Sequence, residues 1–255
     1  MKEIDVDVLI VGSGLIGLLA AHCLAQLNYQ VAIIDKKNFN NTRSSFKDTR
    51  TVAVSEGSKK FLQSLFSSLT WKIPSKERIV YLTFDDGPTK EVTSSLLDIL
   101  NTEKVKATFF CVGKNVEKHT DLFHEIKLQG HVIGNHSNTH INGWKTNKKQ
   151  YLEDIDDADK LIKSNLFRPP YGKLNWKSKK ALQKKYKIIM WDVAGGDFDK
   201  TLSVQQVIEN VTQNVKPGSI VVLHDNQKFK ETILSALPVI IKELKAAHYD
   251  FGVLA

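Results

Sequence analysis

From Ile79 to the C-terminus, short apolar segments of strand length alternate with longer runs of helical periodicity. No other feature of the 255-residue chain restricts its fold as strongly. Strands are expected near 79–84, 107–112, 131–134, 166–168, 187–191, 219–223 and 249–254. Helical runs lie between most of them, among them 91–101, 114–128 and 149–163. Two successive strands that run the same way need a crossover, and a helix usually supplies it. Seven such repeats point to a β/α barrel or a doubly wound sheet.

The polar residues of interest fall just after strand ends: Asp85 and Asp86, His136 and His140, Arg168, Asp197, and His224 with Asp225. In a β/α barrel these ends converge on one mouth, where catalytic groups collect. Thr83-Phe-Asp-Asp-Gly-Pro88 places two adjacent carboxylates on a tight turn, so their side chains point different ways and can take different jobs. His136-Ser-Asn-Thr-His140 has the i, i+4 spacing that puts two imidazoles on one side of a helical turn. Two His and one Asp suit a three-ligand divalent site with open positions. An isolated pair of this spacing is more often a surface accident, but the Asp-Asp turn beside it argues otherwise. His22, His119, His124, His131 and His248 have no such company and read as structural or surface residues.

Composition excludes several classes. A hydrophobic fraction of 42% and a charged fraction of 25% are those of an ordinary globular protein. The net charge of +8 comes mainly from scattered lysines, which read as a solvated surface rather than a nucleic-acid footprint. Cys23 and Cys111 each sit in an apolar run, so neither a disulfide framework nor a cysteine zinc site is expected. The apolar stretch 6–27 follows an acidic leader, has His22 where a lipoprotein site needs a small residue, and is broken by three glycines. The expectation is a cytoplasmic monomer with no membrane span.

That apolar stretch is better read as a βαβ unit. Val6-Asp-Val-Leu-Ile-Val11 is a strand, Gly12-Ser-Gly-Leu-Ile-Gly17 a glycine turn, and Val31-Ala-Ile-Ile-Asp35 a second strand ending in a carboxylate. Gly12 permits the tight turn, Gly14 the approach of a pyrophosphate, and Gly17 the packing of helix on strand. Asp35 is placed to accept a ribose hydroxyl. With Asp48-Thr-Arg-Thr-Val-Ala-Val-Ser55, residues 5–66 resemble the N-terminal FAD-binding unit of ubiquinone-biosynthesis-type flavin hydroxylases. Everything that would hold the flavin ring is missing, so FAD is not expected, and a monooxygenase fragment is the alternative reading. The division is then a truncated dinucleotide-binding unit over 1–71, a polar linker over 72–76 and a catalytic domain over 77–255.

Five motifs in order carry a second resemblance: Thr83–Pro88, His136–His140, Arg168-Pro-Pro-Tyr-Gly172, Trp191–Phe198 and Leu223-His224-Asp225. Residues 77–255 resemble the NodB-homology polysaccharide deacetylases, carbohydrate esterase family four. That implies a distorted (β/α)7 barrel, behind the partial Rossmann-like unit, that hydrolyses N-acetyl groups on N-acetylglucosamine polymers such as peptidoglycan or chitin. It implies that Asp86, His136 and His140 hold a divalent metal, most often Zn²⁺, with Co²⁺ as a substitute. Asp85 is then the general base, fixed by Arg168. The Tyr171 N–H supports the oxyanion, and His224, oriented by Asp197, is the general acid. Leu223, Pro170 and Phe198 line the substrate pocket, and loops such as 141–147 set selectivity. The fourth motif departs from the usual pattern: Ala194 lacks a carboxylate and Phe198 replaces a Trp. Asp192 could stand in for the missing acid.

Overall fold

The structure is a computed structural model that describes residues 7–11, 31–34 and 69–255. The chain divides into two compact units, 1–65 and 66–255. In the first, β1 (Val8–Val11) and β2 (Val31–Ile34) pair in parallel, with Val8 opposite Val31 and Val11 opposite Ile34. This is the pairing a βαβ unit requires. Gly12, Gly14, Gly17 and Asp35 lie outside the described residues.

The second unit is built round β3 (Ile79–Asp85). The helices that cover its sheet include α1 (Lys90–Thr102), α2 (Gly113–Lys118), α3 (Thr120–Leu128) and α4 (Lys148–Ile162). Further along come α5 (Trp176–Leu182), α6 (Val204–Thr212) and α7 (Lys230–Ala246). The remaining strands are β4 (Thr108–Cys111), β5 (Val132–Asn135), β6 (Leu166–Phe167), β7 (Lys187–Ile188), β8 (Val193–Ala194), β9 (Ile220–His224) and β10 (Asp250–Phe251). The sheet runs β7-β6-β5-β4-β3-β9-β8, with β10 added beside β3, and every pairing is parallel. The chain steps outward from β3 to one edge at β7, then crosses to the other edge at β8. Residues between these two short strands bond to Thr70 on one side (Met190 N to Thr70 O, 2.7 Å) and to Ile220 on the other (Asp192 N to Ile220 O, 3.2 Å). The result is a curled parallel half-barrel.

Strand alternation explains the layering. Along β3, Val80, Leu82 and Phe84 face outward and are fully buried beneath helices, packing with Leu96, Leu97 and Leu100 of α1 and Ile240 and Ile241 of α7. Thr83 and Asp85 face inward, toward Arg168. Each fully buried aliphatic or Phe side chain contributes roughly 1.5–3 kcal/mol, so this sandwich fixes the strand that carries the first catalytic candidates. The apolar residues of α6, Val207, Ile208 and Val211, are spaced to fall on one face, and a Ser203–Gln206 capping box starts the helix.

Three expectations change. The run read as one helix over 114–128 is broken at His119, whose backbone (φ −131°, ψ 54°) is not helical. The strand expected over 187–191 is only two residues long, and β8 follows as a separate edge strand too short to show periodicity. The chain also joins the second unit earlier than 72–76. Leu69 is buried, Thr70 N donates to Ile188 O (2.8 Å), and Ile73 N donates to Gly218 O (2.9 Å). Gly218 has φ +85°, and a Cβ there would lie 1.8 Å from Ile73 O, so only glycine lets the two backbones meet.

Candidate active site

Asp85 ends β3 and Asp86 follows in the left-handed region (φ +80°). That conformation is unfavourable for a side chain with a Cβ and needs outside support. Asn115 supplies it by donating Nδ2 to Asp86 O (2.7 Å). Asn226 donates Nδ2 to Asp86 Oδ2 (2.9 Å), which leaves Oδ1 turned to the histidines. Asp225, fully buried, ties the turn to α1 by accepting from Thr89 Oγ1 (2.8 Å) and Thr93 Oγ1 (2.5 Å). Burial pushes its carboxyl up to about 7 against the lowering effect of those hydroxyls.

His136 and His140 follow β5, with ring centroids 5.1 Å apart. They do not meet across a helical turn as their spacing suggests. Ser137 (φ +65°) and His140 (φ +56°) are left-handed, and the loop is folded by Asp154 of α4. Its Oδ1 accepts from Asn138 N (2.9 Å) and Thr139 N (3.2 Å), and its Oδ2 from Thr139 Oγ1 (2.6 Å). His136 Nδ1 lies 2.8 Å from Arg168 O, so that nitrogen carries the proton and Nε2 presents a lone pair. Burial lowers the His136 pKa to about 4, more than Asp85 and Asp86 raise it, which keeps the ring neutral. Asp86 Oδ1 is 3.1 Å from His140 Nε2 and 3.7 Å from His136 Nε2, yet this buried oxygen has no hydrogen bond. One ligand atom from each of Asp86, His136 and His140 falls within 4.8 Å of the others, the group among the described residues suited to a metal ion.

Arg168, at the end of β6, is 0% exposed. Its Nη1 donates to Asp85 Oδ1 (2.6 Å) and Thr83 Oγ1 (2.7 Å), its Nη2 to Met190 O (3.1 Å), and the guanidinium lies 4.1 Å over the Phe110 ring. Thr83 in turn donates to Val221 O (2.6 Å), so one oxygen of Asp85 is immobilised and Oδ2 is left toward the cavity, 3.9 Å from His136 Nε2. Across the mouth, Asp197 Oδ1 holds His224 Nδ1 (2.9 Å) and Oδ2 accepts from His224 N (2.7 Å). Burial alone would lower the His224 pKa. The Asp197 contact and charge prevail, with help from Asp85 and Asp86, and raise it to about 9. Tyr171 is left-handed (φ +60°), and its ring packs edge-on against His140 at 4.4 Å. Its N–H is outside the bonds of the Pro170–Gly172 turn, which run from Gly172 N to Pro169 O and from Lys173 N to Pro170 O.

These groups surround one open cavity of about 810 Å³. Asp85, Asp86, His136, His140, Tyr171, Phe198 and His224 line it, while Arg168 and Asp197 stand behind the groups they bind. Two pocket expectations are corrected. Leu223 is fully buried in the outer core, where its Cδ2 packs close to Gly195, because alternation along β9 turns Val222 to the cavity instead. Pro170 is buried behind the turn and it is Tyr171 that reaches the mouth. Asp192 does not replace the acid missing at Ala194. Its Oδ1 accepts from Ile220 N (2.7 Å) and its Oδ2 from Ser219 Oγ (2.8 Å), which pins the start of β9, the end opposite His224. Asn226, Asn115 and Asp154 went unmarked in the sequence because a single amide or carboxylate on a loop or helix has no spacing pattern.

A curled parallel barrel with a two-His, one-Asp cluster, an arginine-held carboxylate and an aspartate-held histidine at one mouth defines a NodB-homology type of carbohydrate-modifying enzyme. The chain belongs to the polysaccharide deacetylase family. The sequence pattern described as polysaccharide deacetylase matches residues 72–188, and that of an NAD(P)-binding Rossmann-like domain matches residues 10–64. A peptidoglycan-N-acetylglucosamine deacetylase of Bacillus cereus is 34% identical over 190 residues, 72% of this chain and 89% of that protein. A chitooligosaccharide deacetylase of Azorhizobium caulinodans is 29% identical over 162 residues, 60% of this chain and 77% of the other. Among solved structures, a peptidoglycan N-acetylglucosamine deacetylase bound to a hydroxamate-type benzamide superposes with a TM-score of 0.70. It is 33% identical and the match covers 73% of this chain and 91% of that one. The flavin-hydroxylase alternative gains no support from these likenesses.

Proposed function

We propose that this chain is a metal-dependent hydrolase that removes N-acetyl groups from an N-acetylglucosamine-containing glycan, peptidoglycan in the first instance, and releases acetate. The observation that carries the reading is the convergence of the Asp86–His136–His140 cluster, the Arg168–Asp85 pair and the Asp197–His224 pair on one cavity. The likeness to peptidoglycan deacetylases supports the choice of polymer.

The donor set fits a divalent ion. Asp86 Oδ1 is buried without a hydrogen bond, His136 is held neutral with Nε2 free, and two imidazoles with one carboxylate suit zinc. A cation bound by Asp86, His136 and His140 would supply Lewis acidity, polarising the acetamide carbonyl and making a nearby water more acidic. The other steps belong to the chain. Asp85 Oδ2 takes the proton of the attacking water while Arg168 keeps Oδ1 occupied. The Tyr171 N–H donates to the developing oxyanion, a contribution of about 3 kcal/mol where such donors are preorganised. His224, protonated through its pairing with Asp197, gives its Nε2 proton to the sugar nitrogen as the carbon–nitrogen bond breaks. The products are acetate and the free amine.

The test is Asp85→Asn on N-acetylglucosamine oligomers. Acetate release should fall by about 10²–10⁴-fold, the usual contribution of a positioned base, while metal content stays at one ion per chain. Release at the native rate would remove Asp85 from the chemistry.

A further inference from the structure

Three lysines at the mouth have no part in the chemistry above. Lys114 lies in the first turn of α2, Lys173 follows the Pro170–Gly172 turn, and Lys228 sits in the Gln227–Phe229 turn. All three line the cavity, and they arrive from the ends of β4, β6 and β9, so they flank the floor formed after β3 and β5. The acids on the lining are Asp85 and Asp86, both on the floor and both committed to the site. Among the described residues no carboxylate pairs with any of the three ammonium groups. Elsewhere on the unit lysines do find acids: Lys185 with Asp156 and Asp159, Lys230 with Glu91, Lys245 with Glu103. The Lys173 ammonium hangs 5.5 Å from the Trp144 ring and 5.6 Å from the Tyr171 ring, two aromatic faces that are 60% and 59% exposed.

A chain of net charge +8 carries many solvated lysines, and one alone would mean nothing. Three on the rim of one mouth with no carboxylate partner leave that rim positive, and a neutral polymer would not match the charge. A glycan with carboxylates on the units beside the reacting sugar would. From this rim, and resting on the deacetylase reading, we infer that the preferred substrate is an N-acetylated glycan bearing free carboxylate substituents, with Lys114, Lys173 and Lys228 as its specificity-determining residues. The exposed faces of Trp144 and Tyr171 give the same chain apolar surface on which to rest a sugar ring.

The experiment compares kcat/KM for acetate release from carboxylate-bearing glycan strands and from the same strands with every carboxylate converted to its amide. A mouth of one sign raises encounter with an opposite charge by about ten- to a thousandfold at low salt. The free-acid strand should lead by about tenfold at low ionic strength, and the ratio should shrink toward one as salt rises past the point where the screening length is about 8 Å. In the K114Q/K173Q/K228Q variant the ratio should collapse at low salt as well. A ratio of one in the native protein at low salt overturns the inference, and so does a ratio that survives the triple substitution. If the triple variant does not fold, the single variants K114Q, K173Q and K228Q carry the test: each should lower the low-salt ratio, and a ratio unchanged in all three overturns the assignment. Acetate release from neither strand would sink the deacetylase reading itself and this inference with it.

Discussion

Arg168 and Asp85 form an ion pair with almost no access to water, the arginine 0% and the aspartate 4% exposed. Replacing Arg168 by Met keeps much of the volume but leaves the Asp85 carboxylate buried without its cation. Orphaning one member of a buried pair costs about 3–5 kcal/mol. Asp85→Asn orphans the guanidinium instead, though Thr83 Oγ1 and Met190 O still accept from it, so a loss at the lower end of that range is expected. The double variant Arg168→Met/Asp85→Asn buries no charge. Its loss should fall short of the sum of the single losses by about 2–3 kcal/mol, the upper end of coupling between contacting residues. The assay is urea unfolding at pH 7 with a chelator present, so that metal binding does not enter, followed by tryptophan fluorescence. All four tryptophans (71, 144, 176 and 191) lie in the unit that contains the pair. If the double variant loses the sum of the single losses within about 0.5 kcal/mol, the pair is not coupled and Arg168 does not hold Asp85.

Three further outcomes follow from single contacts. His224 has a folded-state pKa of about 9, above the roughly 6.5 of an unfolded histidine. In metal-free protein its pairing with Asp197 therefore stabilises fully below pH ~6.5, and the stabilisation drains as pH rises through ~9. Asp197→Asn should flatten the fall in stability between those limits and move the alkaline limb of acetate release to lower pH; unchanged profiles in both assays would refute the pairing. Asn226→Ala frees Asp86 Oδ2 and should weaken divalent-ion affinity by about 10–100-fold, read by titration calorimetry with Zn²⁺, whereas an unaltered affinity would remove Asn226 from the site. A chain that starts at Phe66 should retain acetate release. One that starts at Pro74 loses Leu69 and the backbone bonds of Thr70 and Ile73, and its Tm should fall by several degrees at about 2–4 °C per kcal/mol. Equal Tm values would show that 69–73 add nothing to the barrel.

The alternating pattern was legible because a parallel strand flanked by helices is apolar along its length, and β3, β4 and β9 appear where the sequence places them. β7 was placed but taken as longer than its two residues, and the two-residue edge strand β8 was not foreseen, since two residues cannot establish a period. The chemical side chains were legible because each sits at a strand end inside a recognisable cluster. Their supports were hidden for different reasons. Asn226 and Asp154 act from far along the chain, through one amide and one carboxylate. The His136–His140 spacing misled about the local backbone, because left-handed residues bring two imidazoles together as well as a helix does. Leu223 and Val222 are equally apolar, and only the register of β9 on β3 decides which one faces the cavity.

One divalent ion seated by Asp86, His136 and His140 is proposed to support removal of acetyl groups by this chain. The most direct measurement is acetate release from N-acetylglucosamine oligomers by chelated protein as Zn²⁺ is added back, in the native chain and in His140→Ala. No release is expected after chelation, full recovery at one equivalent of Zn²⁺ in the native protein, and no recovery at that ratio in the variant. Native-level release by chelated protein, or by His140→Ala with its metal content intact, would rule out a metal seated by these three residues.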